Sequence, residues 1–449
     1  MSVEPRYSSR RGLHFPVLNW GQARVRIALV GGSQLVQKLV GFLIIAIMTR
    51  YFSREALGEY FLAVAIGTIV AQTTELGTSR HLIRSVARRT ADAMGQLSLV
   101  LSLRVPLMLL AFALTNAACL AVRPSLFPTL LVVSLYLLLQ DLQYTYAAFF
   151  VGLERYRLRT GIEVGGQAVL AALTLGVATA GGGLRALLWA YVAANAVVLA
   201  VTTAVVTRRW GRPHVEWRRS TALAVARQSL PIFGVTLLDT VHAKADTVML
   251  GFLRPMPEVA AYSAAWRLLE VSRLAIRPIS LIFFPICVGL AAKDDWAGLR
   301  SLFGRLTRTS LSVGALASLG VILTADLVVP MVFGPGYPDA VPLVQVLFLG
   351  TPMVFTGLLA VALVHTLHLE PQAIRAGAWC VAANILLNAA AIPIWGGVGA
   401  AAVSLATGAL WTVWLGRLVI GELDQGLTAG GAEDPAASAM EEAGMESME

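Results

Sequence analysis

The chain has 449 residues, of which 57% are hydrophobic and 14% charged, and its mean hydropathy is +0.71. Hydropathy that high over this length excludes a string of soluble domains and indicates a polytopic membrane protein. The formal charge of +9 would suggest nucleic acid for a soluble protein, but here it borders apolar runs and belongs to a membrane surface, which excludes a nucleic-acid partner.

Residues 1–26 are polar and arginine-bearing, without the pattern of a cleavable signal peptide. At about 20 apolar residues per span, the first half contains predicted spans at 27–49, 58–79, 96–121, 126–152, 161–181 and 184–207. A basic cytoplasmic linker, 209–228, follows. The second half contains spans at 229–252, 258–290, 304–326, 339–366, 372–394 and 397–419. Pro278 and Pro285 predict a kink within 258–290. The small-residue, acidic segment 420–449 is expected to be a disordered cytoplasmic tail. The links are short, so no soluble domain is inserted.

Basic residues give the orientation. With the N-terminus inside, 24 of the 35 lysines and arginines fall on the cytoplasmic side. The outer loops hold only five: Arg50, Arg54, Arg123, Arg185 and Arg254. Both termini are therefore expected in the cytoplasm.

The chain also resembles itself. Arg50–Ala65 matches Gly251–Trp266 in placement, with Tyr60 over Tyr262 once the register is shifted by one residue, and Val177–Val192 aligns with Ile392–Thr407, placing Gly182 over Gly397. The expected fold class follows: an all-α integral membrane protein of twelve transmembrane helices. These form two six-helix bundles, 27–208 and 229–419, related by a pseudo-two-fold along the membrane normal, with a cavity between them.

Intramembrane charge marks the candidate site, because a charge near the bilayer centre costs about 2.5–3.5 kcal/mol even on the mildest scale. Besides Arg254 and Glu258 at its turn, the run Ser229–Arg277 carries eight Asp, Glu, His, Lys or Arg residues in what reads as one helix pair. At about 100° per residue, Asp239, His242 and Asp246 form one stripe, the candidate ion-coupling group, while Lys244 points away from it. On the next helix Glu270, Arg273 and Arg277 share a face with Arg267 beside them. These four and Lys244, with Lys38, Arg104 and Asp141 of the first half, are the candidate substrate-cavity residues. A salt-bridge network between helices is the competing account of the same charges. Lys38 pairing with Asp141, Arg104 snorkelling to the cytoplasmic side, and Asp141 acting only as a counter-ion are its local forms. Glu75 and Glu163 read as helix-end residues.

Cys119, Cys287 and Cys380 lie in apolar runs and read as small packing residues. There is no P-loop pattern, no metal-ligand spacing and no nucleophile elbow, so neither a cofactor nor an enzymatic activity is expected.

Five segments carry a family resemblance: Met48–Ile66, Glu75–Arg89, Glu258–Leu274, Pro330–Leu347 and Asn384–Ser404. In their order and spacing the chain resembles the Wzx-type oligosaccharide flippases of the multidrug/oligosaccharidyl-lipid/polysaccharide exporter superfamily. The resemblance implies alternating access around a cationic cavity in the bacterial cytoplasmic (inner) membrane. The implied substrate is an undecaprenyl-diphosphate-linked oligosaccharide of O-antigen (lipopolysaccharide), exopolysaccharide or capsule type. It admits a polysaccharide polymerase and chain-length machinery as partners. No site residue is fixed by a family motif. The alternatives are an ion-coupled multidrug antiporter, for which a more acidic cavity would be expected, and a peptidoglycan-precursor flippase, for which fourteen spans would be. A membrane polysaccharide polymerase would carry a large outer loop, and none is present.

Overall fold

The computed structural model describes the backbone of residues 20–214, 219–273 and 276–446, with side chains described except at 20–30, 33–34, 219–232, 277–282, 285 and 429–446. Among these residues the only regular structure is helical. The first group is α1 (Trp20–Tyr51), α2 (Arg54–Glu75), α3 (Thr78–Arg88), α4 (Ala93–Val122), α5 (Phe127–Gly152), α6 (Tyr156–Thr179) and α7 (Leu184–Trp210). The second is α8 (Arg219–Leu253), α9 (Met256–Ser272), α10 (Arg277–Ala291), α11 (Trp296–Phe333), α12 (Ala340–Phe348), α13 (Thr351–Thr366) and α14 (Glu370–Glu446).

Each predicted apolar run is helical; two of the runs are broken, the separation expected between 394 and 397 is a kink, and the C-terminal segment differs. The run 258–290 is two helices, α9 and α10, and the break falls just before Pro278, which opens α10. Proline suits the first turn of a new helix and disfavours continuation of the one before it. The run 339–366 is the pair α12–α13, bent by 47°. α14 is kinked at Gly396, whose φ of 58° is the left-handed region that favours glycine. Helix also continues to Glu446 where 420–449 was expected to be disordered; Leu423 is buried there and Asp424 pairs with Arg300 at 2.9 Å, while Ala, Glu and Met beyond are good helix formers. Seven described helices are long and apolar enough to cross a membrane, or eight if the bent pair counts as one.

The local starts and stops have simple causes. The Ser53 hydroxyl accepts from the Ala56 amide to open α2, and the Asp295 carboxylate accepts from the Gly298 amide at 2.8 Å to open α11. The internal repeat reappears as geometry. The turn between α1 and α2 corresponds to that between α8 and α9, and the left-handed residues Gly181 and Gly396 each stand one residue before the aligned pair Gly182 and Gly397.

The cores are distributed unevenly along the molecule. At one end, the turns after α1 and α8 share a single core that includes Met48, Leu57, Leu62, Leu250, Tyr262 and Phe333. At the opposite end there are two separate cores. One lies within α3, α4, α5 and α7 around Leu82, Phe149 and Val206; the other lies within α10, α11, α13 and α14 around Cys287, Phe303 and Leu415. The two helix groups thus share one core at one end, the joined end, and keep separate cores at the other, the parted end, where α3 still touches α8.

Helix α2 carries much of that junction, packing on both α8 and α9. Its closest approach is at Gly58, where a Cβ would lie 2.0 Å from the carbonyl oxygen of Met256. Gly58→Ala must therefore separate the helices, and overpacking of this kind costs about 1–3 kcal/mol. A lowered midpoint of thermal unfolding is the expected result. Gly176→Ala, whose Cβ meets nothing within 4 Å, should leave the midpoint unchanged.

Three arginines tie the joined end across the groups. Arg54 pairs with Asp339 at 2.6 Å, donates to the Pro257 carbonyl at 3.3 Å and lies over the Tyr337 ring. Burial pushes the Tyr337 hydroxyl up to about 12, so that ring stays neutral. Arg50 donates to the Met331 carbonyl and Arg123 to that of Gly251. Arg254 instead pairs with Glu258, whose carboxylate also accepts from the Gly397 amide at 2.7 Å, so an acidic side chain caps the second arm of α14.

Candidate functional site

Between the shared core and the parted end lies a cavity of about 490 Å³. Helices α1, α2, α5, α6 and α7 form most of its wall, and Lys244 of α8 with Arg267 and Glu270 of α9 enter from the other group. Four basic side chains (Lys38, Arg159, Lys244, Arg267) and two acidic ones (Glu163, Glu270) line it, which leaves it net basic.

The charges fall into two sets. Glu270 accepts from Arg267 at 2.7 Å and faces the Lys244 ammonium at 3.6 Å, so one carboxylate holds two cations on neighbouring helices. On the opposite wall Glu163 accepts from Arg159 at 2.7 Å and from the Gln37 amide at 3.1 Å. The Gln143 amide donates to the Asn195 carbonyl at 2.8 Å, and Gln140, Gln167 and Tyr144 line the same space. One region therefore presents cations in excess, and the rest presents amides and hydroxyls.

A second, smaller cavity of about 140 Å³ lies within the second helix group, lined by Asp239, His242, Trp266, Arg273, Ser404 and Gly408 among others. Beside it Asp246 is 1% exposed. The Tyr262 hydroxyl donates to its carboxylate at 2.7 Å, the Asn388 amide at 2.6 Å, and the Ser404 hydroxyl completes the shell. Asn388 also donates to Asn384, which donates to Thr407. One carboxylate thus joins α8, α9 and both arms of α14. Among the described residues, neither His242 Nδ1 nor Arg273 Nε nearby, both buried, has a hydrogen-bond partner.

The sequence-derived candidates are distributed as follows. Lys38, Lys244, Arg267 and Glu270 meet at the central cavity. Asp239, His242 and Asp246 stay together, on the side of α8 away from Lys244, as periodicity implied. Arg273 lines the second cavity and not the central one: six residues on from Arg267, it lies about 120° around the helix from it. The side chain of Arg277 lies outside the described residues. Arg104 and Asp141 do not reach the central cavity either. They pair with each other at 2.6 Å, and Arg104, 0% exposed, also donates to Thr145 at 2.8 Å. Desolvation explains the pairing: a fully buried guanidinium needs a carboxylate, and Asp141 is the one that its helix presents.

Sequence reasoning missed the amide wall. Its signal was present, since Gln140, Gln143, Tyr144 and Ala147 recur at helical spacing on α5 and all four line the cavity. Attention to charge alone passed over them. Glu163 belongs to this wall and is not simply a helix-end residue.

A family model described as polysaccharide biosynthesis protein matches residues 47–342. The probable flippase AglR of Haloferax volcanii is 29% identical over 167 residues, 36% of this chain, and the match spans about a third (34%) of that protein. Among solved structures, a multidrug resistance MATE family transporter of the MOP superfamily, in its inward-facing conformation, superposes with a TM-score of 0.71 at 13% identity, covering 87% of this chain and 96% of that one. The lipid II flippase MurJ, in an inward closed conformation, gives 0.68 at 11% identity, with 88% of each chain covered. At these identities the structural likeness establishes the fold.

Proposed function

This chain belongs to the polysaccharide biosynthesis protein family, and on that premise we propose that it moves a polyprenyl-diphosphate-linked oligosaccharide across the bilayer by alternating access. The observation that carries this reading is the two-zone central cavity. Lys38, Lys244 and Arg267 suit the two or more negative charges of a lipid diphosphate, and the Arg267 fork matches phosphate oxygens. The amide and tyrosine wall offers both donors and acceptors to sugar hydroxyls, which would otherwise face hydrocarbon. Such a protein acts as a transporter rather than an enzyme. Its product is an O-antigen, exopolysaccharide or capsule repeat unit, passed to a polymerase and its chain-length machinery.

The proposed arrangement has twelve spans in two six-helix bundles. Pairs α9–α10 and α12–α13 each make one broken span, the two arms of α14 make two, and α3 lies outside the count. The parted end carries Arg80, Arg84, Arg88, Arg89, Arg208, Arg209, Arg300 and Arg305 and faces the cytoplasm of a bacterial inner membrane. The joined end, tied by Arg50, Arg54 and Arg123, then closes the outer side, and substrate enters from the cytoplasmic leaflet.

Two experiments test this. In proteoliposomes holding undecaprenyl-diphosphate-linked N-acetylglucosamine in one leaflet, the sugar should become accessible to a galactosyltransferase added at the other. Accessibility no greater than in protein-free vesicles overturns the transport reading. For topology, cysteines replacing the exposed Ser125 and Pro335 in a Cys-free background should be labelled from outside, and those replacing Arg89 and Arg212 only after permeabilisation. The reverse pattern would invert the orientation.

A further inference from the structure

The outer face of α6 and α7 carries a separate apolar groove of about 480 Å³. Gly161 and Gly165 form its floor, both exposed and both with nothing within 4 Å of an added Cβ; Val169, Val197, Val201 and Val205 form much of its sides. Among the described residues, Arg157, in the first turn of α6, is the one charged residue that lines it. Its inner wall is shared: Ile162, Gly166 and Val198 line this groove and the central cavity alike. The seam between the two spaces is the close contact of Gly166 with Val198, where an added Cβ would lie 2.8 Å from the valine methyl.

We propose that this groove holds the polyprenyl chain of the lipid-linked substrate, an inference that rests on the transport function above. The diphosphate and sugars occupy a polar cavity that cannot solvate a long hydrocarbon, so the chain must leave it through a thin wall. The α6–α7 seam is such a wall, and on its far side lies a hollow with no polar residue but Arg157. That arginine is placed at the basic end, where a phosphate on the chain would enter. A straight acyl chain gains nothing from an apolar groove over bulk lipid, because hydrocarbon is the solvent on both sides. Selection must come from packing, and a chain with a methyl branch on every fourth carbon can seat methyls in notches left by Gly161 and Gly165.

The test uses the full-length protein in nanodiscs, with native mass spectrometry reading the binding of undecaprenyl phosphate against phosphatidic acid. The wild type should prefer the polyprenyl phosphate by about tenfold. Gly165→Leu, which fills the groove, should remove that preference. Gly176→Leu, on the same helix with equally open space around its Cβ but outside the groove, should keep it. A wild type without the preference, or a Gly165→Leu protein that retains it, overturns the proposal and shows ordinary annular lipid. Failure of the transport reading is distinct: a wild type that prefers polyprenyl phosphate yet moves no sugar overturns transport and upholds the groove.

Discussion

Arg267→Ala should lower transport of the lipid-linked sugar by about thirty-fold or more while the protein still inserts. Arg267 is partly exposed to the cavity, so the low end of the about 2–5 kcal/mol range for a lost charge-assisted contact applies, and about 1.4 kcal/mol is a factor of ten. The fold should tolerate the change. Glu270 keeps Lys244 at 3.6 Å when the arginine at 2.7 Å is removed, so no buried carboxylate is left alone. Arg267→Lys should retain part of the activity, since it keeps the charge and loses the fork. The rival account makes Arg267, Lys244 and Glu270 a purely structural network. On that account Glu270→Ala, which leaves Lys244 and Arg267 facing each other without a carboxylate, reduces the amount of folded protein, and adding Arg267→Ala restores it by deleting one of the two unpaired cations. Protein level and transport measured for both single variants and the double variant separate the accounts. Full recovery of both quantities in the double variant would falsify the substrate role.

Asp246→Asn is expected to abolish the response of transport to an imposed proton gradient, with a smaller effect on protein level. The carboxylate accepts from Tyr262, Asn388 and Ser404 and so joins α8, α9 and both arms of α14. His242, one turn away on α8, is the neighbouring titratable group, with Asp239 and Arg273 lining the adjacent cavity. Protonation would turn an acceptor of three bonds into a group that must itself donate, and helix contacts at this point would have to rearrange. Asparagine fixes the uncharged form, and one mispaired buried donor costs about 1–3 kcal/mol. The check is transport by wild type and variant with and without the gradient, alongside the yield of folded protein. Gradient-independent transport by the wild type would remove Asp246 from any coupling role.

Much of the helix layout was legible because it depends on neighbours along the chain. Apolar runs of about 20 residues located the helices, and the 100° periodicity put Lys244 on the opposite side of α8 from Asp239 and His242. The repeat predicted equivalence of Gly182 and Gly397, and left-handed glycines stand one residue before both. Local breaks were less legible. Pro278 marked a disturbance in 258–290, but whether the helix bends or restarts depends on what the freed backbone meets, and it restarts. Arg273 lies about 120° around α9 from Arg267 at the same periodicity, so the broad basic stripe divides between the two cavities.

Sequence alone therefore determined which charges stand within long apolar runs and that each needs a partner, because desolvation is a property of the group and of its apolar flanks. Tertiary structure alone decided who the partners are. Asp141 goes to Arg104, 37 residues away, and not to Lys38; Asp246 takes Asn388 and Ser404 from 142 and 158 residues away. The physical reason is that helix periodicity is set by dihedral preferences within a few residues. Which two faces meet is set instead by the summed packing of many weak contacts across helices, and close approaches such as Gly58 against Met256 leave no trace in either segment read by itself.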